Sequence, residues 1–270
     1  MIEYKMTKPF ESKYIPLANY FKACNQTEIT LTYEQIENII GHILPNAAYL
    51  SSSWWKKTKA PALHYFAWMD SGYQVKDVQL GKEVVFQLAT TEDKADEDNI
   101  KQDILLVREA DLGDARAFIT LQESIFTESD FMLYGQNDTH FTVQGMRKRI
   151  ADWKNSPNSI LFLGLLNGEI AGFALYIGGP SPRAKHRASL VIGVLKKFYQ
   201  KGIATSLMSH GEEWAKQVGV TKLELTVVAS NTKAQRLYNK MGFQQEGVRK
   251  NSLIIHGQYM DELYMGKVLT

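Results

Sequence analysis

Residues 190–243 read LVIGVLKKFYQKGIATSLMSHGEEWAKQVGVTKLELTVVASNTKAQRLYNKMGF, and the period of the apolar residues changes along the stretch. Leu190 to Leu195 is a short apolar run with β-branched residues, bounded by lysines, which predicts a buried strand. From Ile203 the positions Ile203, Leu207, Trp214, Ala215 and Val218 follow a helical spacing, and Gly219 supplies a left-handed residue to end the helix. The turn between them, Tyr199 to Ala204, has glycine at 202 and only a methyl at 204. Such bare positions let successive N–H groups point outward together at a helix start, where the first donors lack internal partners and the dipole favours an anion. A KGxA turn by itself is more often only an ordinary turn. The residues that follow add to it. Lys222 to Val228 alternates as a strand, and Asn231 is a good N-cap for a helix from Thr232 to about Met241, closed by Gly242. Tyr238 lies two turns past Asn231 on the same face, roughly 10 Å down the axis. One helix thus presents an amide at its mouth and a phenol further in.

In this order the residues resemble the GNAT N-acetyltransferase superfamily, whose members use acetyl-CoA, and the resemblance covers about 104–270. It implies an α+β mixed-sheet acyl-CoA N-acyltransferase fold for that part. Ile192, Gly193 and Val194 are similar to the family strand whose backbone lies along the pantetheine arm. Tyr199, Gln200, Lys201, Gly202, Ile203, Ala204 and Thr205 are similar to the Q/R-x-x-G-x-G/A pyrophosphate turn, with Tyr199 departing from the usual Gln or Arg at its first position. Asn231, with the A-x-x-L-Y-x-K-x-G-F string from Ala234 to Phe243, resembles the helix that carries the cofactor-facing Asn and the acid Tyr. The implied co-substrate is acetyl-CoA, with no metal.

The whole chain of 270 residues fits two domains, each able to bury a core. A net charge of +2 does not imply a strongly basic nucleic-acid surface. The single cysteine, Cys24, excludes an internal disulfide and fits a reducing compartment. A buried structural thiol is favoured there over a nucleophile. With no apolar run of membrane-spanning length and no signal-peptide core near the start, a cytoplasmic protein is expected.

Residues 1–89 predict a small α+β module. Ile15 to Ala23 reads as a short helix and Ile29 to Leu31 as the entry of a strand. Thr32 caps Tyr33 to Ile40, with Gln35 placed for a capping box and Gly41 as the stop. Ala62 to Met69 reads as helical, and Gln74 to Leu80 with Glu83 to Leu88 as a hairpin around Gly81. The module resembles a small uncharacterised bacterial module that implies no nameable activity. Trp54 and Trp55 beside Lys56, Lys57 and Lys59 would suit bases and phosphates. The favoured reading is a core tryptophan beside a solvated loop, because nine lysines are balanced by eight acids across the segment. Residues 90–103, with six acids and two lysines, cannot bury themselves and predict an extended linker. The second domain is then 104–270.

That domain opens with a strand at Ile104 to Arg108 and a helix begun by Asp111 or Asp114. Glu128, Asp130, Tyr134 and His140 fall in the loop where the family builds its acceptor pocket. Leu161 to Leu166 and Glu169 to Ile177 predict a hairpin, Gly178 to His186 a loop, and Gly247 to Leu269 a second hairpin turning at His256 and Gly257. The closing G-x-Y-x-D-E-x-x-M string resembles GNAT enzymes that acetylate amines on small molecules or protein ends.

Amide formation requires a proton acceptor for the amine, a thioester held close, and donors for the oxyanion as the thiolate leaves. The resemblance makes Tyr238 the acid and the strand at 192–194 the source of oxyanion donors. For the base, Glu224 and Thr226 share one face of their strand. Some relatives carry Glu where Thr226 stands. Glu224 could serve directly or through water, or be an exposed strand carboxylate; His186 is a weaker candidate. The expected activity is direct transfer of acetyl to a primary amine on a small molecule or peptide. The alternatives are a non-catalytic CoA-binding or interaction protein, or an acetyltransferase delivered to nucleic acid or a ribosome by its first module.

Overall fold

A computed structural model describes residues 12–56, 64–89, 103–135 and 140–269. The chain divides into two compact units, residues 1–106 with 165–169, and residues 107–164 with 170–270.

In the first unit, α1 (Ile15–Ala23), β1 (Glu28–Thr32), α2 (Tyr33–Ile40), α3 (Asn46–Leu50), α4 (Ser52–Lys56) and α5 (Phe66–Met69) precede a hairpin of β2 (Tyr73–Gln79) and β3 (Glu83–Leu88). The three strands form an antiparallel sheet in the order β1-β3-β2. The capping box at α2 forms as expected. Thr32 Oγ1 accepts from the Gln35 N–H at 3.1 Å, the Gln35 side chain accepts from the Thr32 N–H at 2.8 Å, and Gly41 ends the helix at φ +80°. Phe21, Phe86 and Trp68 pack with ring centroids 4.7 and 5.4 Å apart.

Two expectations here are corrected. The polar run after Ser51 is not a loop as far as Lys56 but the helix α4, short enough that its period cannot be read; Trp55 holds it to the core. That indole is 1 % exposed, and its N–H is satisfied by Tyr33 Oη at 3.0 Å and the Ala48 carbonyl at 2.9 Å. Trp54 stacks face to face on His64 at 3.8 Å. The helix expected over 62–69 is described only as Phe66–Met69. Lys57, Lys59 and Ala62, the linker residues 90–102 and the first eleven residues lie outside the described residues.

The second sheet has seven strands in the order β4-β5-β6-β7-β8-β10-β9. They are β4 (Leu105–Glu109), β5 (Ile160–Leu166), β6 (Glu169–Gly178), β7 (Arg187–Val194), β8 (Lys222–Val228), β9 (Gln244–Ile255) and β10 (Gln258–Val268), and the helices are α6 (Ala115–Glu128), α7 (Val143–Asn155), α8 (Ile203–Gln217) and α9 (Thr232–Lys240). A 3-10 turn at Leu112–Asp114 leads into α6; there Asp114 accepts from both Arg108 Nη1 and Nη2 at 2.7 and 2.8 Å, so the buried pair is bidentate.

The two faces of the sheet are covered by different helices. On one, Phe118 of α6 meets Phe173 edge-on at 5.2 Å. On the other, Gly164 lets Ile203 and Leu207 of α8 approach, and Gly211 of α8 receives the ring of Tyr176. β7 starts at Arg187, earlier than the apolar run implied, because only alternate residues such as Ala188 and Leu190 are buried at its start.

Candidate functional site

β7 pairs with β6 along its length, from Gly172 opposite Val194 to Gly178 opposite Ala188. Its parallel register with β8 runs only through Arg187–Lys222, Ala188–Leu223 and Ser189–Glu224. Past that rung both strands continue, to Val194 and to Val228, outside this register. A gap therefore opens between two parallel strands, with the C-terminal ends of both at its mouth. Ile192 and Val194 are half-buried along it, whereas Gly193 is buried. Its glycine has a packing reason: a Cβ there would stand 3.0 Å from both Ile125 and Phe173.

β7 leads directly into the bare turn. The Lys196 N–H donates to Glu128 Oε2 at 2.7 Å, which fixes the departure from the strand, and a 3-10 turn spans Lys196–Phe198. Gln200 (φ +64°) and Gly202 (φ +79°) are both left-handed, a conformation that costs an ordinary residue 1–2 kcal/mol or so. Tyr199 to Gly202 are exposed, and α8 begins at Ile203 with no side-chain cap on its first N–H groups. Those donors lie at the positive end of the helix dipole, a place whose chemistry suits an anion. Ile203 contributes there only through its backbone, since its side chain is 1 % exposed and packs toward Gly164. Ala204 and Thr205 are half-buried in the same first turn. The Tyr199 phenol is pushed up by burial and by the Glu128 carboxylate.

At the end of β8, the Asn231 N–H donates to the Val228 carbonyl at 2.8 Å, and Asn231 Oδ1 accepts from the Ala234 N–H at 3.1 Å. The expected cap is present, at the mouth of the gap. Tyr238 is 8 % exposed with its ring centroid 6.1 Å from that of Phe243. Burial pushes its phenol up to about 12, so it keeps its proton throughout the physiological range.

Glu224 stands at the last shared rung. Its carboxylate accepts from Arg187 Nη1 at 3.0 and 3.1 Å and from Ser189 Oγ at 3.2 Å. Arg187 and Ser189 had no assigned role in the sequence; the signal for them was the alternation of polar residues in RASLV, legible only once the strand is extended backward. His186 is not brought to the mouth. It precedes β7 at the paired end, where its carbonyl accepts from the Thr221 N–H at 2.8 Å. Of the loop candidates, Glu128 serves the turn, Asp130 pairs with His256 Nε2 at 3.1 Å at the tip of the β9–β10 hairpin, and Tyr134 lies 6.2 Å from Phe126. His140 is exposed.

A second polar group on the sheet was not foreseen. Glu262 of β10 is 8 % exposed, accepts from the Ser252 hydroxyl, and takes a bond from Arg249 Nη1 at 3.4 Å. Arg249 also lies over the ring of Tyr264 at 5.5 Å, and Tyr264 stands opposite Thr226 of β8.

The model of the acetyltransferase (GNAT) family matches residues 126–243, and a domain of unknown function (DUF7662) matches residues 14–90. Over 123 residues the chain is 30 % identical to an L-amino acid N-acetyltransferase of Escherichia coli K12, covering 45 % of this chain and 74 % of that protein. The chain belongs to the GNAT family. A GNAT acetyltransferase from Streptococcus pneumoniae has the same fold, with 31 % identity and a TM-score of 0.59 over 61 % of this chain and 99 % of its own. A GNAT phosphinothricin acetyltransferase from Sinorhizobium meliloti, solved with acetyl-CoA, shares the fold at 16 % identity and a TM-score of 0.56, over 61 % and 88 % of the two chains. The GNAT part therefore includes the split strands, the bare turn and α9. Among the described residues no helix is long and apolar enough to cross a membrane.

Proposed function

We propose that the chain is an acetyl-CoA-dependent N-acetyltransferase that transfers acetyl directly to a primary amine in a ternary complex. The observation that carries this reading is the end of β7–β8 register at Ser189–Glu224, with the uncapped start of α8 at the mouth of the gap. A pantetheine arm fits between strands that have ceased to pair, and a diphosphate fits N–H groups that no side chain occupies. The residues present suit acetyl-CoA on that ground, and bound there it would supply an activated acetyl group.

The roles of the chain's own groups follow. Peptide N–H groups of β7 along the gap stabilise negative charge on the carbonyl oxygen, an effect worth on the order of 3 kcal/mol per donor. Tyr238, protonated because it is buried, donates toward the departing sulfur; the same desolvation that raises the phenol raises the basicity of a thiolate. Glu224 takes the amine proton, directly or through water, with Arg187 and Ser189 fixing its carboxylate. The boundaries 1–89, 90–103 and 104–270 and a cytoplasmic setting belong to the same reading.

A non-catalytic CoA-binding protein is the second reading, favoured by one observation: Thr226 cannot accept a proton, and Glu224 is already occupied by Arg187 and Ser189. Two measurements on the full chain separate the readings. A rise in Tm with excess acetyl-CoA is expected under both, and its absence sinks both. Release of CoA thiol over a panel of amines is expected only of the enzyme.

A further inference from the structure

We propose that Arg249 holds a carboxylate of the acceptor, so that the second substrate is an aminocarboxylate, not a protein terminus or a plain amine. This rests on the acetyltransferase reading above and specifies its acceptor. The placement follows from strand register. Thr226 lies two residues beyond the rung where β7 and β8 last pair, so it flanks the gap; Tyr264 is its partner on β10, and Arg249 is the partner of Glu262, two residues from Tyr264. Cross-strand partners share a face. The guanidinium is 5.5 Å from the centroid of the Tyr264 ring, which brings it from β9 toward β10 and the gap.

The guanidinium is held and yet presented. Its side chain is 50 % exposed, whereas that of Glu262 is 11 % exposed. Glu262 is bonded to Ser252 and to Arg249 and faces little solvent, which makes it a positioning residue. Arginine has five N–H donors in a planar fork, and the bond to Glu262 uses one, at 3.4 Å. A fork resting on an aromatic face matches a carboxylate in two parallel bonds. An acceptor bound so has its anionic end over Tyr264 and its amine toward Thr226 and the gap. A protein amino terminus has its α-carboxylate tied up in a peptide bond, and a plain amine leaves the fork unmatched.

The test uses the full chain and matched acceptors: L-leucine, L-leucinamide and isoamylamine, with β-alanine and γ-aminobutyrate to vary the reach. The free acid is expected to exceed its amide in kcat/KM by about 30-fold or more. In Arg249→Gln that ratio falls to within about threefold through KM for the acceptor, and Arg249→Lys recovers part of it. An unmoved KM for acetyl-CoA shows that each variant is folded. Glu262→Gln raises KM for the acids more than it lowers kcat. Equal turnover of acid and amide by the wild type, or the same ratio in Arg249→Gln, overturns the proposal. If no acceptor turns over, equilibrium dialysis of labelled L-leucine against the CoA-saturated chain decides, and no carboxylate-dependent binding overturns it. A chain that does not bind acetyl-CoA overturns the underlying reading instead.

Discussion

Ser189 stands opposite Glu224, and their side chains are hydrogen-bonded at 3.2 Å on the last rung that β7 and β8 share. One side of that rung is ordinary parallel sheet; the other is the gap. Glu224 is both the end of the pairing and a carboxylate at the point where the strands part. With Glu224→Gln, kcat is expected to fall about 100-fold at neutral pH, in the range for loss of a general base. Stability changes by under about 1 kcal/mol, because the ion pair with Arg187 is partly exposed. Rate against pH and urea unfolding of the same variant measure the two effects. An unchanged kcat would leave Glu224 as a clamp between strands.

Tyr238→Phe keeps the ring that packs near Phe243 and removes only the hydroxyl. Its kcat is expected to drop about 100-fold with little change in KM for acetyl-CoA. The proton linkage has a definite sign. The folded pKa, about 12, lies above the ordinary phenol value of 10.0, so the stabilisation is complete below pH 10 and is lost as pH rises through 12. An alkaline limb of the pH–rate profile centred below pH 10 must therefore belong to another group, and it should persist in Tyr238→Phe.

Gly202→Val places a branched side chain at φ +79°, on the residue that opens α8. The strain should cost about 1–2 kcal/mol of stability. Affinity for acetyl-CoA should fall more than about 10-fold, because the turn works through backbone donors whose aim depends on that conformation. Calorimetric titration of the folded variant measures the second effect separately from the first.

Cys24 should be nearly inert in the native protein. Cys24 is half-buried instead of fully buried, its thiol donates to the Tyr20 carbonyl at 3.2 Å, and desolvation pushes it up from the ordinary 9.0 to about 12. That difference reduces the thiolate at pH 8 by roughly three orders of magnitude. Alkylation followed by mass spectrometry should be slow until denaturant is added. Rapid modification of the folded chain would contradict the suppressed thiolate.

Gly211→Ala tests how closely α8 lies on the sheet. The added methyl would stand 2.0 Å from the Tyr176 ring, an overlap expected to lower stability by about 1–3 kcal/mol. The double variant with Tyr176→Phe should recover little, because the overlap involves ring carbons as well as the hydroxyl.

The sequence by itself determined the local devices. The capping box at Thr32 and Gln35, the bare turn at Gly202, the cap at Asn231 and the strand Lys222–Val228 depend on a few neighbouring residues and take the form their chemistry dictates. Only the tertiary structure decided which distant side chains meet. Arg187 reaches Glu224 because β7 begins three residues before its apolar run. Counting outward from the turn at His256 and Gly257 sets Glu262 opposite Asn251. Instead the Asn251 N–H is taken by Asp261 Oδ1 at 2.9 Å with Asn251 at φ +50°, and the bulge moves the partner to Arg249. A bulge changes register by which backbone groups find partners across the hairpin. That outcome depends on side chains ten residues apart, and no local pattern encodes it.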